Sequence, residues 1–323
     1  MNLLAPLHHS YEGLTFGQFF LRLFGRIQEA VTGQITDSHL AADELQIIVL
    51  SFVAISSALV GTFLVLRRMT MLANALSHTI LLGIAIAYFF VGTTQGVGME
   101  AMLIASLFMG VITSFLTQLL NRVTSLQEDA SIGLVFIGLF ALGVISATIL
   151  TRDAHIGIEA VMGNADALHP DDMIWVFWVA ILNGVSFVLF FKEFTITSFD
   201  PLLAKSMGFS TAFFTYFLML QTSATTMSAF RAVGVILVLA LMTGPPLIAR
   251  LFTHRLAVLL AASCGIGCGT VVCGVALARH LLSTYGMALS TGGVVVSLLF
   301  FIYLVCFGIN LIKRWKAQTQ CEA

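Results

Sequence analysis

The chain has 323 residues, of which 59% are hydrophobic and 10% are charged, whereas about a quarter of a typical soluble domain is charged. With a mean hydropathy of +1.00, this composition leaves too little polar surface to face water and argues against a soluble enzyme. The net charge of −1 comes without any basic run that could neutralise phosphates, so nucleic acid is not an expected partner.

Residues 1–45 are expected to form an external or interfacial segment. The opening residues lack a basic n-region, a long apolar region and a small-residue cleavage site, so no cleaved signal peptide is predicted. The stretch from Leu14 to Phe24 holds several Phe and Leu side chains around Arg22. That pattern favours a helix lying in the membrane interface over a further span.

Nine apolar runs follow, each free of Asp, Glu, Lys and Arg. Each has about the twenty residues that cross a hydrocarbon core of about 30 Å. They predict an all-α fold, a polytopic membrane helical bundle of about eight to nine transmembrane helices over residues 46–312, followed by a cytoplasmic tail at 313–323. The runs are 46–66, 71–91, 101–120, 132–150, 173–191, 211–230, 232–249, 256–278 and 292–312.

The sixth and seventh runs are the least regular. Arg231 alone separates them, and Gly244-Pro245-Pro246 lies within the second. Because proline removes a helix hydrogen bond, one or both runs could be broken or re-entrant rather than simple spans. The freed carbonyls could line a pathway, since non-helical backbone is tolerated at depth where protein or water covers it. A structural kink is the equal alternative.

Positive charge is unequal on the two sides of this nine-span arrangement. Ten Lys and Arg residues fall on the side of the C-terminus and five on the side of the N-terminus. The richer side is expected to be cytoplasmic, which places the N-terminus outside and the C-terminus inside. The ten are Arg67, Arg68, Arg122, Lys192, Lys205, Arg250, Arg255, Lys313, Arg314 and Lys316.

The second run carries the most informative polar residues. His78 lies about two turns inside a span, where polar groups are costly and usually face a cavity or another helix. Asn74 lies four residues earlier and therefore shares its helix face, with Ser77 beside them. Neutral imidazole suits zinc, manganese or iron, and an amide oxygen can complete a harder site. The alternative is that His78 only hydrogen-bonds a neighbouring helix.

Two further groups could bind metal, and each has a simpler explanation. Cys264 and Cys268 are four apart among glycines; thiolates bind zinc or copper(I), but close helix packing by small residues explains the stretch without metal. The external loop 151–172 is rich in Asp, Glu and His without the spacing of a zinc site. We interpret it as an acidic vestibule that attracts metal or receives a partner, while loop solvation alone is the alternative.

Five segments, in a fixed order over roughly residues 46–312, together carry a family resemblance. The segments are Arg67-Arg68-Met69 with Leu72-Ala73-Asn74-Ala75-Leu76-Ser77-His78 and Gly83; Glu128-Asp129-Ala130-Ser131-Ile132-Gly133 with Phe140-Ala141-Leu142-Gly143; Ser198-Phe199-Asp200-Pro201 with Ala204-Lys205-Ser206-Met207-Gly208; Ala232-Val233-Gly234-Val235-Ile236-Leu237-Val238; and Ser290-Thr291-Gly292-Gly293. This ordered set resembles the ABC-3 family, the permeases of bacterial ATP-binding-cassette (ABC) importers for zinc, manganese and iron.

The resemblance implies a transport subunit of the inner (cytoplasmic) membrane rather than an enzyme. Its expected partners are a second permease, a cytoplasmic ATP-binding subunit and an extracytoplasmic metal-binding protein, with the lipid bilayer around them. The divalent metal is cargo, and no permanently bound cofactor is expected. The family usually has Asp at the position of Asn74. Because an amide is a poorer ligand for a divalent cation, this subunit could be the weaker half of a heterodimer, although a homodimer stays open.

The chain itself is not expected to hydrolyse ATP by the usual route. Its Lys205-Ser206 pair follows Ala204 rather than the glycine-rich loop that cradles phosphates. The expected function is therefore import of manganese, zinc or iron by alternating access, energised by a separate ATPase. An ion-coupled secondary transporter is the alternative, but such a protein often has ionisable groups at mid-membrane and none of the nine runs contains an acid. An intramembrane metalloprotease would need a motif such as His-Glu-x-x-His, which is absent.

Loop 192–210 is the candidate docking segment for that ATPase. Asp200 can cap a short helix that begins at Pro201 and ends at Gly208. This helix would present an apolar ridge and one basic side chain, formed by Leu202, Leu203, Met207 and Lys205.

Overall fold

The structure is a computed structural model that describes residues 16–31, 42–91, 99–124, 127–150, 165, 168, 170–287 and 289–321. These residues form helices and loops without a strand, which confirms the predicted all-α class. The helices are α1 (Phe16–Val31), α2 (Ala42–Leu66), α3 (Thr70–Val91), α4 (Met99–Thr124), α5 (Glu128–Leu150), α6 (Pro170–Leu189), α7 (Phe191–Phe199), α8 (Pro201–Ser206), α9 (Thr211–Val233), α10 (Val235–Phe252), α11 (Leu256–Tyr285) and α12 (Thr291–Cys321).

The predicted spans correspond to α2–α6 and α9–α12, and two of the predicted ranges overrun a helix end by a few residues. Each run forms a helix because lipid offers no hydrogen-bond partners to the backbone N–H and C=O groups, whereas a helix pairs these groups with each other. Within the described residues, five helices are long and apolar enough to cross a membrane, namely α2, α5, α10, α11 and α12. The count rises to six if α6 and α7 are taken as one bent span.

The fifth predicted span ends in a sharp bend. The axis turns by 73° between α6 and α7. The side chain of Phe194 in α7 is fully buried, with its ring centroid 5.0 Å from that of Phe187 in α6 and 5.3 Å from that of Phe63 in α2. This aromatic packing holds α7 against the bundle.

The break between the sixth and seventh runs lies at Gly234, not at Arg231. Gly234 has φ 90° and ψ 158°, a left-handed conformation that side chains disfavour, so the chain changes direction there between α9 and α10. Of the two alternatives at Gly244-Pro245-Pro246, an interruption is not found, because α10 continues through both prolines as one helix.

Packing against α2 explains how α10 tolerates the second of its two prolines, Pro246. Pro246 has no N–H to donate to the carbonyl of Met242, one helical turn earlier. A Cβ on Gly61 would overlap that carbonyl oxygen, so the α2 backbone lies directly against it. Glycine at this position therefore lets α2 cover a backbone group that α10 cannot pair.

The helices form two groups that meet along α9. In the first group, α2 is surrounded by α6, α9, α10 and α11, and α12 packs on α10 and α11. In the second group, α3 packs between α4 and α5. Helix α9 contacts α2 and α6 of the first group and α3 and α4 of the second. This arrangement places α3, the helix of His78, at the junction between the groups.

The N-terminal helix α1 packs on α11 with an uneven distribution of side chains. Phe19 is buried, whereas Leu21 and Phe24 are 76% and 71% exposed. The guanidinium of Arg26 donates to the carboxylate of Glu44 in α2 at 2.8 and 3.2 Å. This pattern agrees with an amphipathic helix, and its position in the membrane interface stays a prediction.

Candidate functional site

The candidate metal ligands lie together on α3, as their spacing predicts. Asn74 and His78 are both half-buried and occupy successive turns of the helix. The imidazole of His78 lies against two aromatic rings of α5, with ring centroids 5.2 Å from Phe136 and 5.3 Å from Phe140. These rings fix the position of the imidazole without using its nitrogens.

The polar atoms of this face are only partly engaged. Ser77 is buried and donates its hydroxyl to the backbone carbonyl of Asn74. Within the described residues, neither the imidazole of His78 nor the side-chain amide of Asn74 forms a hydrogen bond. A structural hydrogen bond from His78 to a neighbouring helix is therefore not found in this part of the chain.

The site offers few ligands from this chain alone. Across the described ranges, no three His, Cys, Asp or Glu side chains lie close enough to hold a metal ion. Asn74 and His78 supply one amide oxygen and one imidazole nitrogen. A metal ion at this level would need further ligands from water, from another subunit or from residues outside the described ranges.

The predicted docking helix forms as α8. The Oδ1 atom of Asp200 accepts hydrogen bonds from the backbone N–H of Leu202 at 3.1 Å and of Leu203 at 2.9 Å. Pro201 occupies the first helical position, and the helix ends at Ser206, two residues before Gly208. The predicted cap is thus confirmed.

Helix α8 exposes its apolar ridge. Leu202 is 77% exposed, Leu203 49% and Met207 55%, and Lys205 is exposed beside them. Ala204 is fully buried and faces the bundle. Three large apolar side chains on this short helix and its C-terminal cap form a contact surface that the described part of the bundle does not cover.

The two cysteines of α11 face the backbone of α2. The thiol of Cys268 lies 3.8 Å from the carbonyl oxygen of Ser51, and that of Cys264 lies 4.0 Å from the carbonyl oxygen of Ile55. This arrangement agrees with close helix packing. The predicted vestibule at 151–172 lies almost wholly outside the described residues.

A buried polar cluster between α2, α6 and α9 is absent from the sequence-based predictions. The side-chain amide of Asn183, which is fully buried, donates to the hydroxyl of Ser56 at 2.7 Å and to that of Thr225 at 2.6 Å. One turn from Thr225, the side chain of Gln221 is 3% exposed and has no partner among the described residues. Since an unpaired buried amide is costly, the polar face of α9 is a second candidate functional region.

The order and packing of these helices define a class of protein, a multi-pass helical membrane permease. Comparison with a solved structure supports that class: the chain matches PsaBC from Streptococcus pneumoniae, solved in complex with Fab, with a TM-score of 0.68 and 25% identity over 87% of this chain and 95% of that one.

Residues 44–310 match the ABC 3 transport family, and the chain belongs to that family. It is 38% identical to a probable metal transport system membrane protein of Chlamydia trachomatis serovar D, over 94% of this chain and 95% of the relative. It is 40% identical to the manganese transport system membrane protein MntD of Bacillus subtilis, over 74% of this chain and 85% of that protein. The chain is therefore a transport subunit in a membrane and not itself an enzyme.

Proposed function

We propose that the chain is the permease subunit of an ABC importer that moves a divalent transition metal into the cytoplasm by alternating access. It lies in the inner membrane with its N-terminus outside and its C-terminus inside, as the distribution of Lys and Arg favours. An extracytoplasmic binding protein delivers the metal, a second permease completes the pathway, and a cytoplasmic ATPase supplies the energy.

The observation that carries this proposal is the face of α3. An imidazole whose nitrogens form no hydrogen bond in the described part of the chain is costly inside a membrane, and such polar groups usually mark a pathway. His78 supplies a nitrogen ligand and Asn74 an oxygen ligand, a pair that suits manganese, zinc or iron. The manganese system of MntD, a relative of this chain, supports manganese within that class.

The structure of α3 suggests how the site works. Two neutral ligands hold a divalent ion weakly, and weak binding lets a transported ion leave again. The remaining ligands come from the second permease, whose corresponding helix would carry the carboxylate that Asn74 lacks. ATP-driven closure of the ATPase subunits then tilts the helices and releases the ion inward.

Replacement of His78 tests the pathway. In proteoliposomes that contain the complete transporter, His78→Ala should lower ATP-dependent manganese uptake by at least about tenfold, because it removes the nitrogen ligand. His254→Ala is the matched control, since that imidazole is exposed in the loop between α10 and α11, and it should leave uptake unchanged. Asn74→Asp adds a charged oxygen and should tighten manganese binding by about tenfold, or about 1.4 kcal/mol.

Two outcomes would contradict this proposal. Well-assembled His78→Ala and Asn74→Asp transporters that match wild type in affinity and uptake would remove α3 from the pathway. Uptake by wild type that proceeds without ATP and follows an imposed ion gradient would instead identify the ion-coupled secondary transporter.

Helix α8 is the proposed docking surface for the ATPase. A cysteine at Leu202, in a background without the native cysteines, should label from the cytoplasmic side and crosslink to the ATPase, because this side chain is 77% exposed. Ala204→Cys is the control on the same helix, since Ala204 is fully buried, and it should do neither. Labelling of the Leu202 cysteine from the outside would overturn the proposed orientation.

A further inference from the structure

The guanidinium of Arg67 joins three helices at the end of α2. Its Nη2 donates to the hydroxyl of Thr197 at 2.7 Å, its Nε to the hydroxyl of Ser198 at 3.0 Å, and its Nη1 to the hydroxyl of Thr215 at 3.0 Å. Thr197 and Ser198 belong to α7, and Thr215 belongs to α9. Each guanidinium nitrogen therefore holds a different hydroxyl, and we call these four residues the Arg67 cluster.

The hydroxyls of this cluster are oriented in advance as acceptors. The hydroxyl of Thr197 donates its proton to the carbonyl of Glu193 at 2.7 Å, and that of Thr215 donates to the carbonyl of Thr211 at 2.9 Å. With their protons used inside their own helices, both oxygens turn lone pairs toward Arg67. The geometry therefore suits a donor with several N–H groups in a fixed plane, which arginine has and lysine lacks.

The cluster lies between the proposed docking helix and the proposed metal helix. On one side, Ser198 is three residues before Pro201, where α8 begins. On the other side, Arg67 is seven residues before Asn74 on α3. The connecting turn is tight: the N–H of Met69 donates to the carbonyl of Leu64 at 2.9 Å, and Arg68 adopts φ 60°. A displacement of α7 therefore reaches the start of α3 through little intervening chain.

The aromatic contacts between α7 and the bundle are of a different kind. Phe194 packs its ring against Phe63, Phe187 and Phe214 at centroid distances of 5.0 to 5.5 Å. Such apolar contact is largely non-directional and permits sliding, whereas hydrogen bonds depend on distance and angle. The Arg67 cluster thus supplies the directional link between α7 and the end of α2.

We propose that Arg67 is a positioning residue that transmits the movement of α8 on the ATPase to α3, and so couples ATP hydrolysis to the metal site. This inference rests on the proposed function, because it takes α8 as the docking helix and α3 as the metal helix. Arg67 itself touches neither the metal nor ATP. Loss of Arg67 should therefore uncouple metal transport from ATP hydrolysis rather than abolish both activities.

The test is the number of manganese ions transported per ATP hydrolysed, measured for the complete transporter in proteoliposomes. Arg67→Lys, and separately the triple variant Thr197→Val, Ser198→Ala and Thr215→Val, should lower this ratio at least about fivefold while at least half of the ATPase activity remains. The triple variant nearly keeps the side-chain volumes and removes the hydroxyl acceptors, together with the bonds that Thr197 and Thr215 donate within their own helices. It tests the cluster even where Arg67→Lys assembles poorly.

Two neighbouring variants serve as matched controls. Arg68 is exposed beside Arg67, so Arg68→Lys should leave the ratio unchanged. Thr195 in α7 donates its hydroxyl to the carbonyl of Phe191 at 2.6 Å and lies outside the cluster, so Thr195→Val should also leave it unchanged.

Each other outcome has a defined meaning. A ratio equal to wild type in the triple variant would overturn the inference. Uptake and ATPase activity that fall together, in proportion to the amount of assembled complex, would also overturn it and leave Arg67 a purely structural role. A wild-type transporter that accumulates no manganese with ATP would count against the proposed function itself, independently of Arg67.

Discussion

The helices around α2 and the helices α3, α4 and α5 are packed in different ways. Of the apolar stretch of α2, 72% is buried within the protein, against 17% in α5. Helix α2 is enclosed by four others, whereas α5 packs mainly on α3 and α4 among the residues that the structure describes. An open apolar groove of about 600 Å³ runs between α4 and α5, lined by Leu116, Leu119, Leu120, Val123, Leu134, Val135, Gly138, Leu139 and Leu142.

The difference shows which side chains hold helices together in a membrane. Lipid tails are as apolar as leucine, so apolar surface alone gives little drive for helices to associate, and small or polar residues must supply specific contacts. The α2 group has such contacts at Gly61 and at Asn183. The α3–α5 group also has such contacts, at Gly143 against the backbone of Leu82 and between Thr113 and Thr79, but it exposes side chains such as Ile137 and Leu142, which suit lipid or a second permease. The candidate metal ligands lie on α3, where this more open group meets the α2 group.

The strongest test of the contrast between the closely packed α2 group and the open α5 adds one methyl group to a glycine in each region and compares the loss of stability. Gly61→Ala should destabilise the protein by about 3 kcal/mol or more, the upper end of overpacking costs, because the new Cβ meets a backbone carbonyl that cannot rotate away. Gly138→Ala in α5 is the control, since a Cβ there meets nothing, and it should change stability by less than about 1 kcal/mol.

The measurement is the thermal unfolding midpoint of each purified variant in detergent, together with the yield of inserted protein. Equal midpoints for Gly61→Ala and Gly138→Ala would show that α2 and α10 have room to separate. The contrast between a closely packed and an open region would then fail.

A smaller loss of stability is expected when interhelical hydrogen bonds are removed from the two groups of helices. Asn183→Leu removes the two bonds to Ser56 and Thr225 and should destabilise by about 1–2 kcal/mol, as interhelical hydrogen bonds in membranes are individually modest. Thr113→Val in α4 is the counterpart in the second group. It removes one bond of 3.2 Å to Thr79 in α3 and should cost about 0.6 kcal/mol.

The thermal unfolding midpoints of Asn183→Leu and Thr113→Val in detergent measure these two losses of stability. A larger loss for Thr113→Val than for Asn183→Leu would mean that hydrogen bonds matter more in the α3–α5 group. The polar cluster would then no longer distinguish the core of the α2 group.

Local chemistry could be predicted from the sequence. Apolar runs predict helices because the backbone must pair with itself in lipid. A four-residue spacing places Asn74 and His78 on one face because a helix turns every 3.6 residues. Asp200 before Pro201 predicts the start of α8, since the cap bonds to N–H groups two and three residues away. Each of these inferences depends only on neighbours along the chain.

Contacts between distant residues could not be predicted in the same way. The three hydroxyls bound by Arg67 lie 130 to 148 residues away along the chain, and no local pattern names them. The prolines of α10 leave a broken span and a kink equally open when considered alone, whereas the structure shows that Gly61 of another helix covers the carbonyl that Pro246 leaves without its helical partner. The polar residues of α9 had a visible pattern, Gln221-Thr222-Ser223 and Thr225-Thr226 within an apolar run, but their partner Asn183 was not apparent.

The sequence by itself determined that this protein is helical, where each helix lies along the chain, and which residues of α3 and α8 carry its candidate chemistry. Those properties follow from backbone pairing, helix periodicity and capping, which act over a few residues. Tertiary structure alone decided that α2 is enclosed while α5 is peripheral, that α10 stays continuous through Pro245 and Pro246, and that Arg67 links α2, α7 and α9. These features depend on contacts between residues that are distant along the chain, and such contacts form only when the helices pack against each other.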